Sequence, residues 1–251
     1  MNMQLVMVLF GVATAAGWVD AIAGGGGLVT LPALLMAGLP PTLALGTNKL
    51  QGTFGSLSSS LYFLRRGQVV LRYVLPGVVI SALAAALGAH SVQFVNTHLL
   101  RRGIPFLMIL VAAWFLFRPL FGKSPSADRP ARLSLTAFFL CAVPVIGFYD
   151  GILGPGTGTF LALAGMSLRS LSMTHATAQA KWLNLGSNVG SLVVFLFAHQ
   201  VAWLPGLAMA LGQILGGRLG AGMVMRRGSA IVRPVVIIIS LAISARLLIW
   251  G

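Results

Sequence analysis

Long apolar runs separated by short polar breaks make up almost the whole chain. Runs at 73–90, 104–117 and 234–249 are almost uncharged, and they approach the roughly 20 residues that a helix needs to cross about 30 Å of hydrocarbon. The short alternating segments of a membrane β-barrel are absent. The pattern predicts an all-α polytopic membrane protein with helical segments near 3–23, 25–38, 45–64, 73–90 and 104–121, then 133–153, 156–168, 176–198, 204–224 and 231–249. The first run has no basic n-region, so it reads as a span and not as a cleaved signal. The second segment of each set of five is too short for a comfortable crossing and is expected to be a half-helix or one arm of a re-entrant hairpin.

The two sets of five look like one unit used twice. Gly17-Trp18-Val19-Asp20-Ala21-Ile22-Ala23-Gly24 returns as Gly147-Phe148-Tyr149-Asp150-Gly151-Ile152-Leu153-Gly154, and each copy runs into a glycine-rich break. Thr47-Asn48-Lys49-Leu50 is answered by Gln179-Ala180-Lys181-Trp182, and Gly67-Gln68-Val69 by His199-Gln200-Val201. The expected organisation is a first transmembrane repeat at 1–121, a connecting loop at 122–132 and a second repeat at 133–251.

Composition agrees with a lipid solvent: 57% of residues are hydrophobic and 8% charged, against roughly 25% charged in a soluble domain. A net charge of +14 could suggest nucleic acid, but the positive residues sit in short loops between spans, where they orient a membrane protein. If all ten segments cross, one side holds 11 loop arginines and lysines and the other Arg101, Arg102 and Arg246; if the short segments do not cross, the split falls to 8 against 6. The sharper split favours ten crossings, five per unit, which would invert one unit relative to the other. Inverted repeats with broken helices are typical of secondary transporters. Cys141 is the single cysteine, which excludes an internal disulfide and a metal–thiolate cluster.

Of the three acids, Asp128 lies in the central loop, while Asp20 and Asp150 fall inside apolar segments at matched positions. Of the three lysines, Lys123 lies in that loop, and Lys49 and Lys181 again occupy matched intramembrane positions. A mid-bilayer charge costs at least about 2.5–3.5 kcal/mol and is a functional-site hypothesis by default. Two readings compete. In the structural one, each Asp pairs with a Lys or with backbone amides and locks its own unit. In the functional one, the breaks at Gly24, Gly25, Gly26, Gly27 and at Gly154, Gly156, Thr157, Gly158 expose helix N-termini that suit an anion. Lys49 and Lys181 would add positive charge, and Thr47, Asn48, Gln51, Gln179, Asn184 and Asn188 would donate hydrogen bonds, so that both units converge on one anion pocket. Gly88, Gly216, Gly217 and Gly220 suit close helix packing as well as they suit anion binding.

Other features weigh less. The glycine runs lack the order of a P-loop, no ATP site is visible and no cofactor is expected, so transport would be driven by gradients, with Asp20 and Asp150 as candidate proton carriers. Ser56, Ser58, Ser59 and Ser60 lack a nucleophile elbow and a placed base, so helix–helix hydrogen bonding is the better account and the protein is not expected to be an enzyme. His175 reads as an interfacial histidine, and Tyr73, Trp203 and Trp250 suit an aromatic belt. Arg218 either snorkels to the interface or faces the cavity.

The paired Asp-to-glycine stretches, together with Gly46-Thr47-Asn48-Lys49-Leu50 after Gly38-Leu39-Pro40-Pro41, resemble the TauE/SafE family, grouped with sulfite exporters and organosulfonate permeases. The resemblance covers nearly the whole chain. The second unit departs, with Ala178-Gln179-Ala180-Lys181 and Gly154-Pro155-Gly156-Thr157-Gly158 in the corresponding places. The resemblance implies sulfite, sulfoacetate or a related sulfonate as substrate. The expectation is a secondary-active anion transporter of the bacterial inner membrane. Its partners would be a small anionic substrate and the lipid bilayer, with no nucleic acid, and with proton coupling and a homodimer both compatible with the pattern. A carrier for another small carboxylate or metabolite anion, a passive anion channel and a membrane enzyme are the alternatives.

Overall fold

The computed structural model describes residues 2–117 and 131–227. The expected tenth segment at 231–249, Trp250, and Lys123 and Asp128 of the connecting loop lie outside the described residues. The described chain is all-helical: α1 (Met3–Ala23), α2 (Gly27–Met36), α3 (Pro41–Arg65), α4 (Leu71–Val92), α5 (Thr97–Phe117), α6 (Leu135–Ile152), α7 (Thr157–Arg169), α8 (Met173–Phe197) and α9 (Trp203–Arg227).

Local chemistry sets the boundaries. Asn2, Ser134 and Ser172 begin α1, α6 and α8 by accepting a backbone N–H two or three residues on, which satisfies one orphan donor of each first turn. Pro41 occupies the first position of α3, where a missing N–H costs nothing. The helix expected from 104 begins instead at Thr97, because the Asn96 side chain caps the His98 N–H at 2.8 Å. Arg101 and Arg102 therefore lie in α5 and not in the preceding loop.

Four described helices are long and apolar enough to cross a membrane: α1 over Met3–Ile22, α4, α6, and α9 over Trp203–Met225. The 25-residue α3 and α8 carry the buried Lys and Asn side chains and most of the buried Gln and Ser. With 10 and 13 residues, α2 and α7 reach only about 15 and 20 Å as helices, short of roughly 30 Å of hydrocarbon. Leucines and valines such as Leu83, Leu87, Val145, Leu211 and Leu219 are exposed, as suits surfaces that meet acyl chains. The protein is thus apolar outside and partly polar at its centre.

Small residues let the helices approach closely and fix their directions. Along α9, Gly212, Gly216 and Gly220 face Phe10, Thr14 and Trp18 of α1, while Gly217 and Gly222 face Gly55 and Tyr62 of α3; both pairs run parallel. Along α4, Gly77 and Gly88 face Phe139 and Phe148 of α6, while Val78 and Ala82 face Gly186 and Gly190 of α8; these pairs also run parallel. Helices α1, α3 and α9 form one trio, and α6, α8 and α4 the other. The trios meet where α3 crosses α8, with Gly46 on Phe195 and Gly52 on Asn188, so they run antiparallel. Gly88, Gly216, Gly217 and Gly220 all serve packing, and none lines the central cavity.

Candidate functional site

The two glycine-rich breaks touch. Gly24 caps α1 in the left-handed conformation at φ 71°, and a Cβ there would come within 2.3 Å of the Thr159 amide nitrogen. Only glycine meets both demands. Gly158 packs on Gly24, and Gly27 on Pro155. Each break leaves a helix C-terminus with negative dipole character and a half-helix N-terminus with positive character.

Charged side chains answer both ends. Lys49 of α3 donates to the Asp150 carbonyl at the end of α6 and pairs with Asp150 Oδ1 at 2.9 Å. Lys181 of α8 donates to the Asp20 carbonyl at the end of α1 and pairs with Asp20 Oδ2 at 2.7 Å. The aspartates then reach the half-helices that follow. The Gly26 N–H donates to Asp20 Oδ1 at 3.1 Å, and the Thr157 hydroxyl donates to Asp150 Oδ1 at 2.8 Å. Both lysines are therefore charge-compensated. The pairs also cross between the two sets of five instead of locking each set to itself. Removing one partner of a buried pair costs about 3–5 kcal/mol, because it strands the other charge.

Between the pairs lies a cavity of about 30 Å³ lined by Asp20, Gly24, Gly26, Gly27, Asn48, Lys49, Gln51, Gly52, Asp150, Gly154, Asn184, Asn188 and Gln213. A water needs roughly 10–15 Å³ by this measure, so a space this narrow holds at most a few waters and no multi-atom anion. Asn48 Oδ1 accepts from Thr30 Oγ1 and Gln51 Nε2, both at 2.7 Å. These bonds orient Gln51, whose buried Oε1 has no partner; Asp150 Oδ2 is buried and unpartnered as well. Both orphans are acceptors on residues that line the cavity, so they call for a hydrogen-bond donor such as water. The pairs differ in access: the Asp20 side chain is 18% exposed and the Asp150 side chain 3%.

Not every expected residue lies here. Lys181 lines a smaller cavity of about 20 Å³ on the far side of its pair, between α7 and α8. Thr47 faces away: its hydroxyl donates to Leu43 and accepts from the Ala202 N–H at 2.9 Å, pinning α3 to the start of α9. Gln179 is buried outside the cavity. Gly25 and Gly156 act through their carbonyls in the first turns of α2 and α7. Arg218 faces an outer crevice, not the centre. Ser58 bonds across to the Ile214 carbonyl at 2.8 Å, whereas Ser56 and Ser59 bond back within α3. His175 is exposed and its Nδ1 lies 2.8 Å from the Ser172 hydroxyl.

Gln213 was not anticipated. It is 3% exposed, and its amide fits a gap left by Gly17 and Gly55. The available signal is a lone amide inside the apolar α9, answered at an offset of 132 by the buried Ser81 of α4.

With this geometry in place, similarity to other proteins becomes informative. Residues 9–247 match the family described as Sulfite exporter TauE/SafE. The chain is 46% identical over 245 residues to the probable membrane transporter protein ORF9 of Sinorhizobium, covering 98% of this chain and 93% of the relative. It is 44% identical over 246 residues to a probable membrane transporter protein of Haemophilus influenzae, covering 98% and 95%. To the probable membrane transporter protein YfcA of Escherichia coli it is 43% identical over 244 residues, covering 97% and 90%. No solved structure matches. A multi-pass helical chain, matched to one family over nearly its full length and to membrane transporters at this identity, belongs to the TauE/SafE family of membrane transporters.

Proposed function

We propose that this chain is a secondary-active carrier of a small anion, working by alternating access around the two helix breaks, with a sulfur oxyanion or an organosulfonate such as sulfoacetate as its substrate. One observation carries the reading: two lysine–carboxylate pairs join each broken helix to the other set of five and meet at a single amide-lined cavity. A pore would have little use for so narrow a centre. The antiparallel trios, with α1, α3 and α9 in one and α6, α8 and α4 in the other, are the arrangement that two inverted copies would produce, and such copies rock about a fixed central site. The family description supports a sulfur oxyanion.

The aspartates act as tethered anions. They hold the lysines and half-helix N-termini that a substrate needs, and the cavity is too small for both. An incoming anion takes the place of the carboxylate, which accepts a proton and turns away. Coupling then follows from competition for the same donors. Asp20, the more accessible of the two, moves first.

The test is binding to the purified protein of sulfite, sulfate, thiosulfate, sulfoacetate and simple carboxylates. Lys49→Ala and Lys181→Ala should each weaken the preferred anion by at least about tenfold, as loss of a buried charged contact does. Proteoliposomes should show uptake stimulated by the same anion on the trans side. Normal binding in both variants would place the pocket elsewhere.

A further inference from the structure

The C-terminal ends of α3 and α9 hold a second concave site. A crevice of about 460 Å³ opens between them, lined by Leu57, Leu61, Tyr62, Arg65, Arg66 and Arg218 among others. All three arginines are exposed. The parallel packing of the two helices brings Arg65 and Arg66, at the end of α3, to the same end of the protein as Arg226-Arg227 at the end of α9. Such a gathering of arginines marks the cytoplasmic face.

Arg218 is out of place on a lipid-facing surface. It precedes the end of α9 by nine residues, about 13 Å along the axis, and its neighbours Leu215 and Leu219 are exposed. A guanidinium at that depth needs an anion or must snorkel toward the interface. Among the described residues the only acids are Asp20 and Asp150, and each is bound to a lysine. The described residues therefore supply no carboxylate to the crevice. Tyr62 stacks under Arg66 at 5.5 Å and gives the site a rigid aromatic wall. Leu57 and Leu61, both more than a third exposed, continue the crevice as an apolar track toward the bilayer interior.

We propose that this crevice binds an anionic phospholipid, its phosphate held by Arg65, Arg66 and Arg218 and its acyl chain lying along Leu57 and Leu61. The chemistry fits a lipid better than a free anion, because one wall is basic and the other apolar. Basic pockets between membrane helices on the cytoplasmic side hold lipid headgroups in this way. The site is separate from the central cavity and does not depend on what the protein transports.

Native mass spectrometry of the purified protein, titrated with phosphatidylglycerol or phosphatidylcholine of matched chains, tests it. Wild type should prefer phosphatidylglycerol, and Arg218→Gln and the Arg65→Gln/Arg66→Gln double variant should lose that preference by about fivefold for each guanidinium removed. Arg218→Lys should keep most of it. Arg72→Gln, which removes the same charge from the start of α4, should leave it unchanged. No preference in wild type, or an equal loss in Arg72→Gln, would overturn the proposal. So would displacement of bound lipid by water-soluble glycerophosphate at equal concentration, which would make the site one for free phosphate.

Discussion

Asp20 and Asp150 occupy matched positions and make different bonds. Both oxygens of Asp20 are engaged, one by the Gly26 N–H and one by Lys181. Asp150 places both of its partners on Oδ1 and leaves Oδ2 empty. Access, and not the number of bonds, suits Asp20 to release and Asp150 to hold, because the Asp20 side chain is the more exposed of the two. Asp20→Asn preserves shape and can still accept the Gly26 N–H, but it strands the Lys181 ammonium. The variant should lose about 3–5 kcal/mol of stability without ligand, and a bound anion should restore part of it, because the anion then compensates Lys181. Its affinity for a sulfonate should rise by roughly tenfold, since the tethered competitor is gone. Thermal unfolding with and without sulfoacetate, and calorimetric titration of the sulfonate into both proteins, measure the two effects. Equal destabilisation with and without the anion would make Asp20 a structural lock and nothing more.

Helices and their breaks were legible in the sequence because they follow from local rules. The span expected at 3–23 is α1 as observed, and the breaks fall at the glycine runs. Long-range choices were not legible. The unit arithmetic places Asp20 beside Lys49 and Asp150 beside Lys181 in sequence, yet the pairs form the other way, because helix crossings and not chain distance bring α1 to α8 and α3 to α6. Thr47 and Gln179 were grouped with the lysines two residues on, but at 3.6 residues per turn such neighbours stand about 200° apart on the helix. The crossings themselves rest on small residues, and that gives a test at this scale. A Cβ on Gly190 would meet the Ala82 carbonyl oxygen at 2.0 Å, whereas one on Gly11 would meet nothing within 4 Å. Gly190→Leu should force α8 off α4 and cost more than the roughly 1–3 kcal/mol typical of an overpacked core. Gly11→Leu should unfold as wild type does. Thermal melts in detergent compare the two directly, and equal melts would mean that the α4/α8 contact is looser than its geometry implies.

For the molecule as a whole, what matters is how antiparallel trios share one narrow centre. A chamber of about 30 Å³ must widen before it admits sulfite or a sulfonate. If the trios rock, the centre opens to one side at a time; if they form a pore, it opens to both. A cysteine at the centre separates the two cases. Asn188 is the better position, because its hydrogen bonds stay within α8, to Asn184 one turn back, so Asn188→Cys breaks no hydrogen bond to another helix. Cys141 is exposed and must first be replaced by serine. In sided vesicles, Asn188→Cys should react with a small impermeant thiol reagent from one face at a time, and saturating substrate should shift reactivity from one face to the other. Simultaneous labelling from both faces, unchanged by substrate, would describe a channel. A shift is expected if the more open Asp20 pair and the buried Asp150 pair act as unequal halves of a gate, because an anion that separates one pair then has no room to stay unless the other remains closed.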